Sequence, residues 1–119
     1  MPVRSLSSSV LRWPDAGAVH DALRQWAERA GATRPELRRV GYFGSYARGD
    51  WGPGSDLDVM IVASASGEPM ARRPLAWDLT ELPVPADVLV YTTAELERLD
   101  PASRFARTLR EETVWVWPA

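Results

Sequence analysis

The chain contains no cysteine, no lysine and no asparagine, and its only histidine and only glutamine are His20 and Gln25. Missing thiols exclude a disulfide framework and a thiolate metal centre, and a lone imidazole excludes the usual histidine-rich zinc site. A resident cation must then be held by oxygen, the donor class that suits Mg2+ or Mn2+. Without lysine, every positive side chain is an arginine, which stays charged and meets phosphate or carboxylate oxygens two at a time. Codon bias in a GC-rich genome accounts for this composition better than a thermophile signature, which keeps its lysine. The N-terminal SLSSSVLRW has no continuous apolar stretch, so neither a secretory signal nor a membrane span is read there, and a cytoplasmic protein is expected. A net charge of -2 gives no general attraction to nucleic acid, whose phosphates call for a basic face.

At 119 residues the chain has room for one folding unit, expected over 16–119 behind an N-terminal arm of 1–15. A helix is introduced by Pro14 and Asp15. Val19, Leu23, Trp26, Ala27 and Ala30 follow helical spacing along it, and Gly31 is the predicted stop. Strands are predicted at 37–43, 56–62, 86–91 and 113–117, where β-branched, aromatic and other apolar residues concentrate. A further helix is predicted over Arg72–Leu82, with Leu75, Leu79 and Leu82 on one side. Thr92 and Glu95 have capping-box spacing for a short helix, and Ser103 is placed to cap another through Glu111. Strands alternating with helices make an α/β domain with a small mixed sheet of about four strands.

The densest chemistry lies in GSYARGDWGPGSDLDVMIV, Gly44 to Val62. Gly44 and Ser45 break the chain after a strand where a helix can begin, and backbone amides at such a turn face a phosphate well. Downstream, Asp56 and Asp58 open an apolar strand and fall on one face of it, their Cα atoms roughly 6.6 Å apart at about 3.3 Å per residue. Two acids opening a buried strand are costly unless a cation shares their charge.

Gly44-Ser45, Arg48-Gly49, Ser55-Asp56 and Asp58 resemble the signature of the DNA polymerase β-type nucleotidyltransferase superfamily, and in a chain this short they resemble its minimal branch. The resemblance implies the nucleotidyltransferase fold over most of residues 16–117. It also implies catalytic, metal-holding carboxylates at Asp56, Asp58 and Asp87, with Asp87 supplied by the strand VPADVLVYT. A strand-entry turn after Pro85 is the other reading of Asp87. Phosphate binding is implied for Gly44, Ser45, Arg48 and Ser55. Arg48 can equally pair with Asp50 and face solvent, and Ser55 can serve as a turn residue that orients Asp56. Trp51 is placed either to stack on a base or to pack on the domain, and His20 reads as a solvated residue.

The activity so implied is metal-dependent transfer of a nucleoside monophosphate, AMP from ATP, to an acceptor hydroxyl. With no acceptor-holding domain expected, the acceptor is expected to bring its own surface. The minimal branch often serves as the antitoxin of a HEPN-domain toxin, whose tyrosine it adenylylates. The partners implied are therefore a nucleoside triphosphate and a HEPN-type toxin, with a homo-oligomer left open. The alternative is a non-catalytic nucleotide- or metal-binding module that neutralises a partner through its surface. Six tryptophans, with Trp13, Trp51 and Trp117 hard to place in one core, favour that alternative.

Overall fold

In the computed structural model, which describes residues 13–118, the Asp15 carboxylate accepts the Ala18 N–H at 2.7 Å and caps α1 (Ala16–Thr33). The cap satisfies one of the amides that a helix start leaves without a partner. Val19, Leu23, Trp26 and Ala27 form the buried stripe of this helix, and burial of a side chain such as Leu23 contributes about 2 kcal/mol. The helix runs past Gly31 to Thr33. Gly31 is there for space: a Cβ at this position would collide with the Trp117 indole, which lies flush on the helix.

Four strands form one sheet, β1 (Leu37–Phe43), β2 (Leu57–Ala63), β3 (Ala86–Thr92) and β4 (Val114–Trp117), in the spatial order β3-β2-β1-β4. β1 is antiparallel to β2 and β4, while β2 runs parallel to β3, so the sheet is mixed as expected. Leu57, Val59 and Ile61 of β2 join Val40 and Tyr42 of β1 in the core beneath α1. Met60 and Val62 on the opposite face are buried too, which explains why β2 reads as a continuous apolar run. On that second face, α4 (Arg104–Glu111) sets Phe105 in a stack on Tyr91 and edge-on to Phe43, with ring centroids 5.1 and 6.5 Å apart. Ser103 caps α4 by accepting the Ala106 N–H, and Thr92 with Glu95 closes the predicted capping box of α3 (Thr93–Glu97).

The helix predicted over Arg72–Leu82 is corrected. A 3-10 helix occupies Met70–Ala76, with Pro74 inside it, and turns follow. Pro74 has no N–H for a continuing ladder, and the Asp78 carboxylate instead accepts from the Thr80 amide and hydroxyl at 3.0 and 2.6 Å, turning the chain. Leu75 is left 82% exposed while Leu79 and Leu82 are 7% exposed, so the three leucines share no face. The extended backbone at Trp77 lets its ring meet Trp26, whose Nε1 donates to the Asp78 carbonyl.

The tryptophans were expected to be hard to place, and they are packed. Trp13, Trp51 and Trp117 lie partly buried against the core, Trp51 stacks on Tyr46 at 5.3 Å, and Trp13 Nε1 donates to the Tyr46 hydroxyl at 2.9 Å. This removes the sequence argument for an aromatic interface. His20 is also corrected: it is half-buried, with Nδ1 2.9 Å from the Tyr42 hydroxyl, whose own pKa burial pushes up. The arm predicted over 1–15 falls outside the described residues except for 13–15. Among the described residues, no helix is long and apolar enough to cross a membrane.

Candidate active site at the β1–β2–β3 end

The site is assembled where three strands come to one end of the sheet. β1 closes at Phe43, which pairs with Asp58 of β2, and Asp58 pairs with Asp87 of β3. Gly44 follows with φ 78 and ψ -150, a conformation that is essentially glycine's alone. Steric need coincides with the conformational one, because a Cβ on Gly44 would collide with Oδ2 of Asp58. The Gly-Ser turn is therefore seated directly on the carboxylate. α2 (Ser45–Arg48) is a single turn starting there, and its first amides, at Ser45 and Tyr46, have no acceptor within the turn.

Asp58 lies on the face opposite α1 and is half-buried, whereas Asp87 and Asp56 are exposed. Asp56 falls one residue ahead of β2 rather than within it, since the strand is Leu57–Ala63 and not 56–62. Burial pushes the Asp58 carboxyl above its ordinary pKa, and the negative charges of Asp87, Asp56 and Glu112 push it the same way, against the pull of Arg48. The anion at Asp58 is thus short of compensating charge in the free protein. A hard divalent cation fits that deficit and that all-oxygen donor set. Among the described residues, no three acidic or histidine side chains are already gathered as a metal-holding cluster, so a cation would have to draw the carboxylates together.

The remaining predicted residues divide. Arg48 Nε donates to Asp50 Oδ2 at 3.1 Å and its Nη1 to Glu112 Oε1 at 3.5 Å, so its charge is engaged by acids. The Ser55 hydroxyl accepts the Gly52 N–H at 2.9 Å and the Ser55 N–H returns to the Gly52 carbonyl, which is the turn role, just ahead of Asp56.

Sequence reasoning missed the contribution of the C-terminal segment. Glu112 Oε2 accepts the Gly44 N–H at 2.8 Å, tying the end of α4 to the Gly-Ser turn across 68 residues. Arg104 and Thr108 of α4 line, with Gly44, Arg48, Asp58 and Glu112, a cavity of about 490 Å³. The one signal available was the polar stripe Arg104, Arg107, Thr108 and Glu111 at helical spacing, which identifies an exposed face without saying what it confronts. Asp87, in register with Asp58 and on the same face, also borders a groove of about 680 Å³ at the outer edge of β3, lined by Trp77, Leu79, Leu82 and Pro85.

Residues 23–116 match the nucleotidyltransferase domain family. No curated protein matches the chain in sequence. Among solved structures, a proposed nucleotidyltransferase from Sulfolobus solfataricus is similar at a TM-score of 0.60 and 21% identity, covering 84% of this chain and 80% of that one. A toxin-antitoxin structure with AMP-PNP is similar at 0.58 and 20% identity, with 84% and 73% covered. The MntA-HepT toxin-antitoxin structure is similar at 0.51 and 17% identity, with 82% and 71% covered.

Proposed function

The chain belongs to the nucleotidyltransferase domain family, and on that premise we propose that it transfers AMP from ATP to a tyrosine hydroxyl on a HEPN-type toxin, as the antitoxin of the pair in the cytoplasm. The observation that carries the transferase reading is the seating of the Gly44 turn on Asp58 with Asp87 in register beside it. Similarity to the toxin-antitoxin structures supports the choice of partner, and the AMP-PNP held by one of them supports an adenine nucleotide.

In this reading Asp56, Asp58 and Asp87 hold Mg2+ or Mn2+. Divalent ions bound there would offset the negative charge that develops on the attacking and leaving oxygens. The chain's own residues do the rest. The Ser45 and Tyr46 amides, with the Ser45 hydroxyl, donate to non-bridging phosphate oxygens and fix the triphosphate against Asp58. Asp87 stands beside Asp58 and also borders the β3-edge groove, and this position suits an acceptor that approaches from that edge. The acceptor oxygen bonds to the α-phosphorus, its proton passes to an Asp87 carboxylate oxygen, and the bond to the bridging oxygen breaks to release pyrophosphate. The apolar wall of that groove, with Trp77, Leu79 and Leu82, suits an aromatic side chain better than a sugar or a nucleic acid backbone.

Purified protein incubated with labelled ATP, Mg2+ and the product of the neighbouring gene should pass label to that product, and Asp58→Asn should abolish the transfer. Neutralisation that persists in Asp58→Asn with no label passed by either form would replace the enzyme with a binding module.

A further inference from the structure

A triphosphate bound with its α-phosphate at Asp58 extends β- and γ-phosphates that need cationic partners, and in this chain those partners must be arginines. Arg48, the arginine of the motif, is engaged by Asp50 and Glu112. Arg104 lines the cavity that holds Gly44 and Asp58, and it also lines an adjoining hollow of about 360 Å³ together with Arg48 and Arg107. Arg104 and Arg107 are exposed and lie three residues apart on α4, so both project from one face of the helix with Thr108 beside them. Among the described residues neither makes an ion pair, as is also true of Arg38, Arg39, Arg98 and Arg110, but of these six only Arg104 and Arg107 line the cavity or its adjoining hollow. The hollow also carries Glu111 and Glu112, and Glu112 is already bound to the Gly44 N–H and to Arg48.

We infer that Arg104, supported by Arg107, is the seat of the β- and γ-phosphates of the bound nucleoside triphosphate, an inference that rests on the transferase reading only for placing the nucleotide in this cavity. α4 then closes the site that the Gly-Ser motif opens. A planar guanidinium can take two oxygens of one phosphate, and two arginines three residues apart can divide the tail between them. Glu112 has the complementary job of holding the Gly-Ser turn to the same helix, so the amides of the turn and the guanidinium groups of α4 face one ligand.

Titration of the full chain with ATP, AMP and inorganic tripolyphosphate, each with Mg2+, tests the assignment. Arg104→Ala should weaken ATP and tripolyphosphate about tenfold, the scale of one charge-assisted contact, and leave AMP affinity unchanged because AMP has no tail. Arg104→Lys should recover part of the loss, since the charge returns without the fork. Unchanged melting temperatures in both variants confirm that binding, not folding, has moved. Equal loss of AMP and ATP, wild-type affinity in the Arg104→Ala/Arg107→Ala double variant, or no tripolyphosphate binding by the wild type overturns the inference. Arginine-dependent triphosphate binding without label transfer to any protein would instead sink the transferase reading and leave this seat in place.

Discussion

Gly44 is the residue at which conformation and chemistry meet. Its positive φ and its contact with Asp58 both forbid a side chain. Gly44→Ala should cost about 2 kcal/mol of stability from backbone strain alone. It should also abolish label transfer, because the displaced Asp58 carboxylate leaves the turn it supports. Urea denaturation and the transfer assay check the two effects separately. Asp58→Asn should behave differently. It removes a charge that burial, Asp87 and Asp56 all disfavour, so the metal-free variant should melt no lower than wild type while losing transfer. Mg2+ should raise the melting temperature of wild type and leave that of Asp58→Asn nearly unmoved, which calorimetry with and without EDTA reads directly. The neighbourhood of Gly44 and Asp58 was legible in the sequence because both lie within one short run. Glu112 and Arg104 were not, since each meets the motif only through the fold, from a helix far along the chain.

At the scale of elements, the connection between β2 and β3 carries an ion pair of low exposure. Arg73, with a side chain 9% exposed, donates to Glu95 from Nη1 and Nη2 at 2.6 and 2.9 Å and also donates to the Val90 carbonyl from Nη1 and to the Glu68 carbonyl from Nε. Glu95 is at the same time the N3 residue of the α3 capping box, accepting the Thr92 N–H at 2.8 Å. Arg73, then the Thr92 amide, hold the Glu95 carboxyl down to about 2 from its ordinary value of 4.5. The unfolded chain therefore takes up this proton first as pH falls. The stabilisation is complete above pH 4.5 and is lost between there and about pH 2. Glu95→Gln should cost about 2 kcal/mol at neutral pH, less than a fully buried pair because the Glu95 side chain is 30% exposed. The gap between wild type and variant should close as the pH is lowered towards 2 in parallel denaturation series. This segment was also the least legible in the sequence. Apolar spacing across Leu75, Leu79 and Leu82 suggested a helix, but Pro74 and the Asp78–Thr80 turn outweighed it. Where caps and strands agreed with local chemistry, at Asp15, Thr92, Ser103 and 37–43, the reading and the structure coincide.

For the molecule as a whole, the strand order β3-β2-β1-β4 decides how the site faces its surroundings. No feature of the sequence reveals that order, because pairing between strands depends on contacts far apart in the chain. With β2 central and β3 at the edge, Asp58 lines the cavity under α4, while Asp87, beside it on the same face, also borders the groove outside β3. The two carboxylates pair in register and so project from one face of the sheet, but of the two Asp87 alone also borders the edge groove. That division predicts separable defects. Asp87→Asn should weaken MgATP less than Asp58→Asn does, since it removes one metal-holding acid at the β3 edge and leaves the Gly-Ser turn, Asp58 and the α4 arginines in place. Its transfer to the acceptor should slow by about a hundredfold or more, the usual scale for a lost general base. Asp58→Asn should lose nucleotide affinity and transfer together. Titrating each variant with a non-hydrolysable ATP analogue and following label transfer at saturating ATP would separate the two defects. If Asp87→Asn weakens the analogue as much as Asp58→Asn does, both acids serve the nucleotide, and the β3-edge groove loses its claim to the acceptor.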